Sequence, residues 1–376
     1  MGHTRSRPKR RLSHPLCGSN AATLFKVLLE NRGVARGSLP HAALAVLATL
    51  ARWPASTLET AIVSRRLRSG EPMPAPIFIV GHWRSGTTHL YNILSKGEFG
   101  IVSPLAAGMP WDLLGLVRLI RPLLERSLPA DRYIDRIPVT PDSPQEDEIG
   151  LANMTPLSFY HGIYFPQFFA RNFNRGVFLD GCSEAERAAW RAVLTHFLGK
   201  VWLDQGHRRL IIKNPVYTAR VAMLRQIYPD AKFIHIHRNP FEVFVSMRNF
   251  FDKLFAQFAL QAWDHVDIDA VILETYSRMM EIYLTESAGL PADSLLEIRY
   301  DELDRDPLPS LEAIYRTFDL PGFDDARPSF EAYLGSVRTF QKNRFGYGGE
   351  TIAKVERAWA PFLERWNYGV PQAIGN

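Results

Sequence analysis

Between Pro76 and Leu90 an apolar run, Ile77-Phe78-Ile79-Val80, stops at Gly81, passes through His82-Trp83-Arg84-Ser85 and resumes as a helix from Gly86-Thr87-Thr88. A buried strand, a tight turn and a helix N-terminus is the layout that aims backbone N–H groups at an anion. Gly81 and Gly86 bracket four residues, as in the front of the nucleotide-binding P-loop. The match then breaks. Thr87-Thr88 stand where that loop needs a lysine followed by Ser/Thr, and the only cation of the loop is Arg84, inside it. The loop is therefore expected to grip a phosphate-like anion, but not as a magnesium-nucleotide triphosphatase.

Other residues fit the same anion. Lys213 closes the apolar run Leu210-Ile211-Ile212, and Arg238 closes Phe233-Ile234-His235-Ile236-His237. Cations at the ends of parallel strands converge on one edge of a sheet, which suits a highly anionic ligand. Ser246 follows Arg238 on a helix begun by Asn239-Pro240, so a hydroxyl and a guanidinium reach one oxyanion. Near the C-terminus, Phe340 to Gly349 is a basic, glycine-rich loop able to close over a nucleotide.

The elements that must place these residues alternate. Strands are expected at 77–80, 209–213, 232–238 and 294–300. Helices are expected from the loop to about Lys96, over 108–128, from 142 onward, over 184–203 and around 219–227. Such alternation gives an α/β fold with a mainly parallel sheet and ligands at the carboxyl ends of its strands. Residues 21–69 carry helical periodicity through Leu24, Val27, Leu28, Leu44, Leu47, Leu50, Leu58 and Ile62, ending in Arg65-Arg66-Leu67-Arg68. Two readings stay open for them: helices packed on the main domain, or an amphipathic surface with a basic edge that meets a membrane or a greasy substrate.

The 376-residue chain is 46% hydrophobic, which excludes a disordered protein. Its formal charge of +5 equals the five cations Arg5, Arg7, Lys9, Arg10 and Arg11, so the remainder is balanced and no nucleic-acid partner is expected. Cys17 and Cys182 make no disulfide framework, the start lacks an apolar signal core, and a cytoplasmic protein, peripheral at the inner membrane face, is expected. The division read from the chain is a flexible basic tail at 1–20, a helical extension at 21–70 and the main domain at 71–376.

Taken together, Arg84-Ser85-Gly86-Thr87-Thr88, the segment from Ile212-Lys213-Asn214-Pro215 through Arg238-Asn239-Pro240 to Ser246, and the ending from Lys342-Asn343 to Trp359 and Trp366 resemble the sulfotransferases that use 3′-phosphoadenosine 5′-phosphosulfate (PAPS). The resemblance is to a bacterial group related to the tyrosylprotein sulfotransferases and covers residues 76 to about 370. It implies a P-loop-like three-layer fold, a central sheet flanked by helices, here with an N-terminal helical extension. It implies sulfuryl transfer from PAPS to an acceptor hydroxyl or amine, a hydroxyl being the expectation here, with no metal. By matching position, Arg84, Ser85, Gly86, Thr87 and Thr88 would hold the 5′-phosphosulfate, and Arg238 and Ser246 the 3′-phosphate. Lys342, Asn343 and Arg344 would lie in the loop that closes on the donor. Lys213 and Arg84 would absorb the charge that grows in an in-line displacement.

The proton acceptor departs from the wider pattern, because Ile101 to Leu105 offers neither acid nor imidazole. Gln145-Glu146-Asp147-Glu148 resembles an acidic segment of the bacterial group, which makes Glu146 or Glu148 the base; the other reading is acids placed at a helix start, with Pro144 in its first turn. His82 and His161 stand in reserve, with packing beside Trp83 the alternative for His82. The aromatic stretches 154–169 and 250–258 are either core or, with the helices at 40–60, the lining for a hydrophobic, lipid-like acceptor; residues 1–70 are a separate candidate for peripheral membrane contact. A P-loop kinase and a catalytically inactive nucleotide-binding protein are the rival functions.

Overall fold

The computed structural model describes residues 12–127, 140–337 and 346–372. The chain divides into two compact units. Met73–Ile101, Gln205–Asn249 and Asp267–Asn376 form an α/β unit; Met1–Pro72, Val102–Asp204 and Phe250–Val266 form a helical one.

In the α/β unit, β1 (Ile77–Val80), β2 (Ile211–Lys213), β3 (Lys232–His237) and β4 (Leu295–Arg299) lie in the order β2-β1-β3-β4, every pair parallel. All of β1 is buried, as an inner parallel strand covered on both faces must be, and this is why it reads as an unbroken apolar run. Register puts Ile79 opposite Lys213 and Val80 opposite His235. Alternate side chains face opposite ways. Ile77, Ile79, Ile211, Ile234 and Ile236 join Leu90, Tyr91 and Leu94 of the helix Thr87–Leu94 and Leu311, Ile314 and Phe330 of later helices in one core. On the opposite face Phe78 packs against Tyr217, Tyr228 and Phe233, and His235 stacks on Tyr283 of the helix Ile268–Ser287 at 3.9 Å. This is the expected three-layer α/β arrangement. The helix expected around 219–227 is a 3-10 turn, Pro215–Ala219, followed by Val221–Ile227.

The helical unit contains Ala21–Glu30 and Leu39–Ser69. In the longer helix the buried positions are Ala45, Thr49, Arg52, Ser56, Glu59 and Val63, spaced three and four apart along one face. That face is largely polar, and the apolar stripe read from the sequence points outward: Leu47 is 65% exposed, Leu58 63% and Ile62 57%. The inward polar groups are matched. Arg52 pairs with Asp112, whose other oxygen accepts from Ser56 Oγ at 2.6 Å. Lys200 Nζ lies 2.6 Å from Glu59, and both Glu59 oxygens accept backbone N–H groups, from Leu114 at 3.0 Å and Gly115 at 2.7 Å. A buried ion pair survives only with such hydrogen bonds around it.

Residues 12–20, expected as the end of a flexible tail, are instead folded. Pro15–Gly18 make a 3-10 turn capped by His14, Leu16 is buried, and Ser19 donates to the Asn153 carbonyl at 3.0 Å. Arg52 donates to the Ser19 carbonyl at 2.8 Å, satisfying backbone that the turn buries. The two aromatic stretches meet as core: Phe169 lies 5.0 Å from Phe173 and 6.1 Å from Phe251, and Phe251 stacks on Phe255 at 5.9 Å.

Candidate functional site

The anion loop leaves β1 at Gly81 with φ +141°, and a Cβ there would stand 2.3 Å from the Ile236 carbonyl oxygen. Only glycine fits that approach to β3. The Gly81 N–H donates to Thr218 Oγ1 at 2.7 Å, which ties the loop's first residue to the turn after β2. Gly86 caps the helix Thr87–Leu94 at φ +100°, and a Cβ on it would fall 2.1 Å from the Tyr300 ring. The helix opens with the His89 N–H donating to the Gly86 carbonyl at 2.9 Å, so a helix N-terminus, the positive end of its dipole, begins beside the loop.

Around this loop the expected cations assemble. Arg84 Nε donates to Ser246 Oγ at 2.8 Å, and Ser246 is buried on the helix Pro240–Phe258. Lys213, 2% exposed at the end of β2, donates to Thr88 Oγ1 at 3.2 Å. Arg238, just past β3, reaches the Arg84 carbonyl at 3.5 Å, lies 4.4 Å above the Tyr300 ring and pairs with Glu242. Its buried Nε has no hydrogen-bond partner among the described residues. Loop, Lys213, Arg238 and Ser246 are thus one constellation, although more than 120 residues separate Lys213 from Thr88 and Arg238 from Arg84 in the sequence. Guanidinium, ammonium, hydroxyls and helix amides around one spot can hold a multiply charged oxyanion and absorb charge that develops on it. Lys342, Asn343 and Arg344 lie outside the described residues.

The cradle also uses residues the sequence did not single out. Tyr300 follows the last residue of β4, floors the loop under Gly86 and supports Arg238; Thr218 anchors Gly81. For Tyr300 the available signal was its place at the carboxyl end of the strand expected at 294–300. Nothing local marked Thr218.

His82 is buried against Tyr276 at 5.0 Å and Trp83 at 5.4 Å, with Nδ1 2.9 Å from the Trp83 carbonyl. Burial pushes its pKa down to about 4, so it is neutral at pH 7 and packed as a wall residue.

The acidic segment belongs to the helical unit. Its helix is Asp147–Leu151, so Pro144 precedes the first turn rather than standing in it, and Glu146 is the N-cap residue. Gln145 instead bonds back to the Val102 carbonyl at 2.8 Å, which holds the preceding residues extended. Asp147 and Glu148 are both fully buried. Ser158 donates to Glu148 Oε1 at 2.7 Å, and this charge together with burial, the larger cause, raises the pKa of Tyr164. His161 has its ring nitrogens 3.0 Å from the Pro156 carbonyl and 2.9 Å from the Ala152 carbonyl, and burial lowers its pKa. Both nitrogens are engaged by backbone.

These features are a cluster of cations and hydroxyls at a glycine-bounded loop on an α/β scaffold. Residues 76–325 match the model of the sulfotransferase family, and the chain belongs to that family. It is 27% identical over 364 residues to the omega-hydroxy-beta-dihydromenaquinone-9 sulfotransferase Stf3 of Mycobacterium tuberculosis, covering 93% of this chain and 90% of that protein, and equally to Stf3 of Mycobacterium bovis. Its fold is that of sulfotransferase STF9 from Mycobacterium avium, with a TM-score of 0.63 at 14% identity over 96% of this chain and 98% of that one. Sulfotransferase STF1 from Mycobacterium tuberculosis superposes with a TM-score of 0.59 at 19% identity over 83% and 85%. The protein is a sulfotransferase, and the kinase reading falls away.

Proposed function

We propose that the protein transfers the sulfuryl group of PAPS to a hydroxyl of a hydrophobic, lipid-like acceptor. The observation that carries this is the meeting of Arg84, Lys213, Arg238 and Ser246 at the 81–88 loop. Its cations suit a donor with a phosphosulfate at one end and a phosphomonoester at the other. Ser85, Gly86, Thr87 and Thr88 bind the 5′-phosphosulfate through helix amides and hydroxyls. Arg238 and Ser246 hold the 3′-phosphate, and the unpartnered Nε of Arg238 is one donor for it. Lys342, Asn343 and Arg344 are proposed to close on the donor. Lys213 and Arg84 stabilise negative charge on the transferring group and on the bridging oxygen as that bond breaks.

For the proton of the acceptor hydroxyl the candidates remain Glu146 and Glu148. Glu148 has the better support, because its carboxylate is buried and oriented by Ser158, as a base acting in one direction requires. The hydroxyl-bearing menaquinone derivative in the name of Stf3 supports the acceptor class. An acceptor of that kind resides in a bilayer, which gives peripheral membrane contact through residues 1–70 a purpose. The test is incubation with sulfur-labelled PAPS and, in parallel, a long-chain prenyl alcohol and a small phenol. Label in the lipid product supports the reading; label in the phenol alone overturns the acceptor class.

A further inference from the structure

The helix Leu39–Ser69 is built inside out. Between Ser38 and Ser64 its only Lys, Arg, Asp or Glu residues are Arg52 and Glu59, and both are buried in the ion pairs with Asp112 and Lys200. Its outer face carries Leu47, Leu50, Trp53, Leu58 and Ile62, each 43% exposed or more, without one formal charge. From Leu39 to Ile62 this stripe runs for about 36 Å at the helical rise. Single exposed leucines are ordinary, but a continuous uncharged face of that length marks an interaction surface. Its ends are cationic. Arg32 and Arg36 precede the helix and Arg65, Arg66 and Arg68 close it, all exposed.

We infer that this outer face is a docking surface for an anionic phospholipid bilayer, with the helix lying in the interface plane. The apolar stripe sinks toward the acyl chains, and the arginines at both ends remain at headgroup depth, where each gains from negative lipid. Among the described residues no helix is long and apolar enough to cross a membrane, so the contact lies on the surface. Charge argues against a second copy as the occupant. A two-fold pairing of these helices would bring cationic end against cationic end or leave both unmatched, whereas an anionic bilayer complements all of them.

The inference extends the membrane contact of the proposed function but needs neither donor nor acceptor, so failure to bind vesicles and failure to transfer sulfate are separate results. The experiment is flotation of the full chain with vesicles of phosphatidylglycerol mixed with phosphatidylcholine, against phosphatidylcholine alone. The protein floats with the anionic vesicles. Leu58→Glu with Ile62→Glu reduces partitioning by roughly a hundredfold or more, while the circular-dichroism melt stays unchanged because both side chains already face water. Neutralising Arg65, Arg66 and Arg68 to Gln weakens binding to the anionic vesicles by about fivefold per charge. The inference is overturned if the protein stays in solution with both vesicle types, or if the double variant floats like the parent. It is equally overturned if sedimentation velocity shows a dimer that the double variant splits, with no vesicle binding by either, since the face would then belong to a second copy.

Discussion

Arg84 holds a backbone conformation that non-glycine residues avoid, φ +71°, in the same turn that Gly86 completes at +100°. A left-handed arginine is tolerated where its side chain is needed, and here that side chain reaches Ser246. Arg84→Gly therefore separates the two effects. It relieves about 1 kcal/mol of backbone strain, so the melting temperature holds or rises, while initial-rate assays show a loss on the order of 10²–10³ in turnover. Gly86→Ala acts the other way: its new Cβ meets the Tyr300 ring at 2.1 Å, destabilising by roughly 2–4 kcal/mol, measurable by urea unfolding. For the base, Glu148→Gln should lower turnover about 10²–10⁴-fold with donor affinity retained, and Ser158→Ala should lower it less by leaving the carboxylate unoriented. If neither change slows transfer but Glu146→Gln does, the N-cap residue is the base.

At the scale of elements, the strands and the loop were legible because each needs a particular local sequence. A strand buried on both faces reads as a largely apolar run, and a turn pressed on a neighbouring backbone must be glycine. The helix Leu39–Ser69 was legible as a helix but not in its orientation. Periodicity shows that Leu47, Leu50, Leu58 and Ile62 share a side; it does not say that Arg52 and Glu59 go inward, because their partners Asp112 and Lys200 lie 60 and about 140 residues away. The helix after Pro144 was misread at its start for a related reason, since the bond from Gln145 to Val102 that holds the preceding residues extended is tertiary. The buried pairs carry their own prediction. Glu59→Ala leaves the Lys200 ammonium buried without its carboxylate and costs about 3–5 kcal/mol of stability, read by chemical denaturation. Glu59→Leu combined with Lys200→Met recovers most of that loss.

For the whole molecule, two histidines, His82 and His237, are folded in the neutral state at pH 7. His82 titrates at about 4 and His237 at about 3, and His161 and His235 are lowered as well, in each case mainly by burial. In the unfolded chain they take up protons near pH 6.5. Because the unfolded state binds more protons over this range, stability is full above about pH 6.5 and falls as pH drops toward 4. His82 alone would account for about 2 kcal/mol at pH 5. Melting temperatures should hold from pH 7.5 to about pH 6.5 and decline from there to pH 5; a profile flat to pH 5 would contradict neutral burial. The proposed transfer requires the cradle around residues 81–88 to hold a donor with two separated anionic groups. Titration calorimetry with adenosine 3′,5′-bisphosphate and adenosine 5′-monophosphate tests this most directly. The protein should prefer the bisphosphate by about a hundredfold, as a charged hydrogen-bonded contact to the extra phosphate requires, and Arg238→Ala should abolish the preference. Equal affinity for the two ligands, or an unchanged preference in Arg238→Ala, would contradict it.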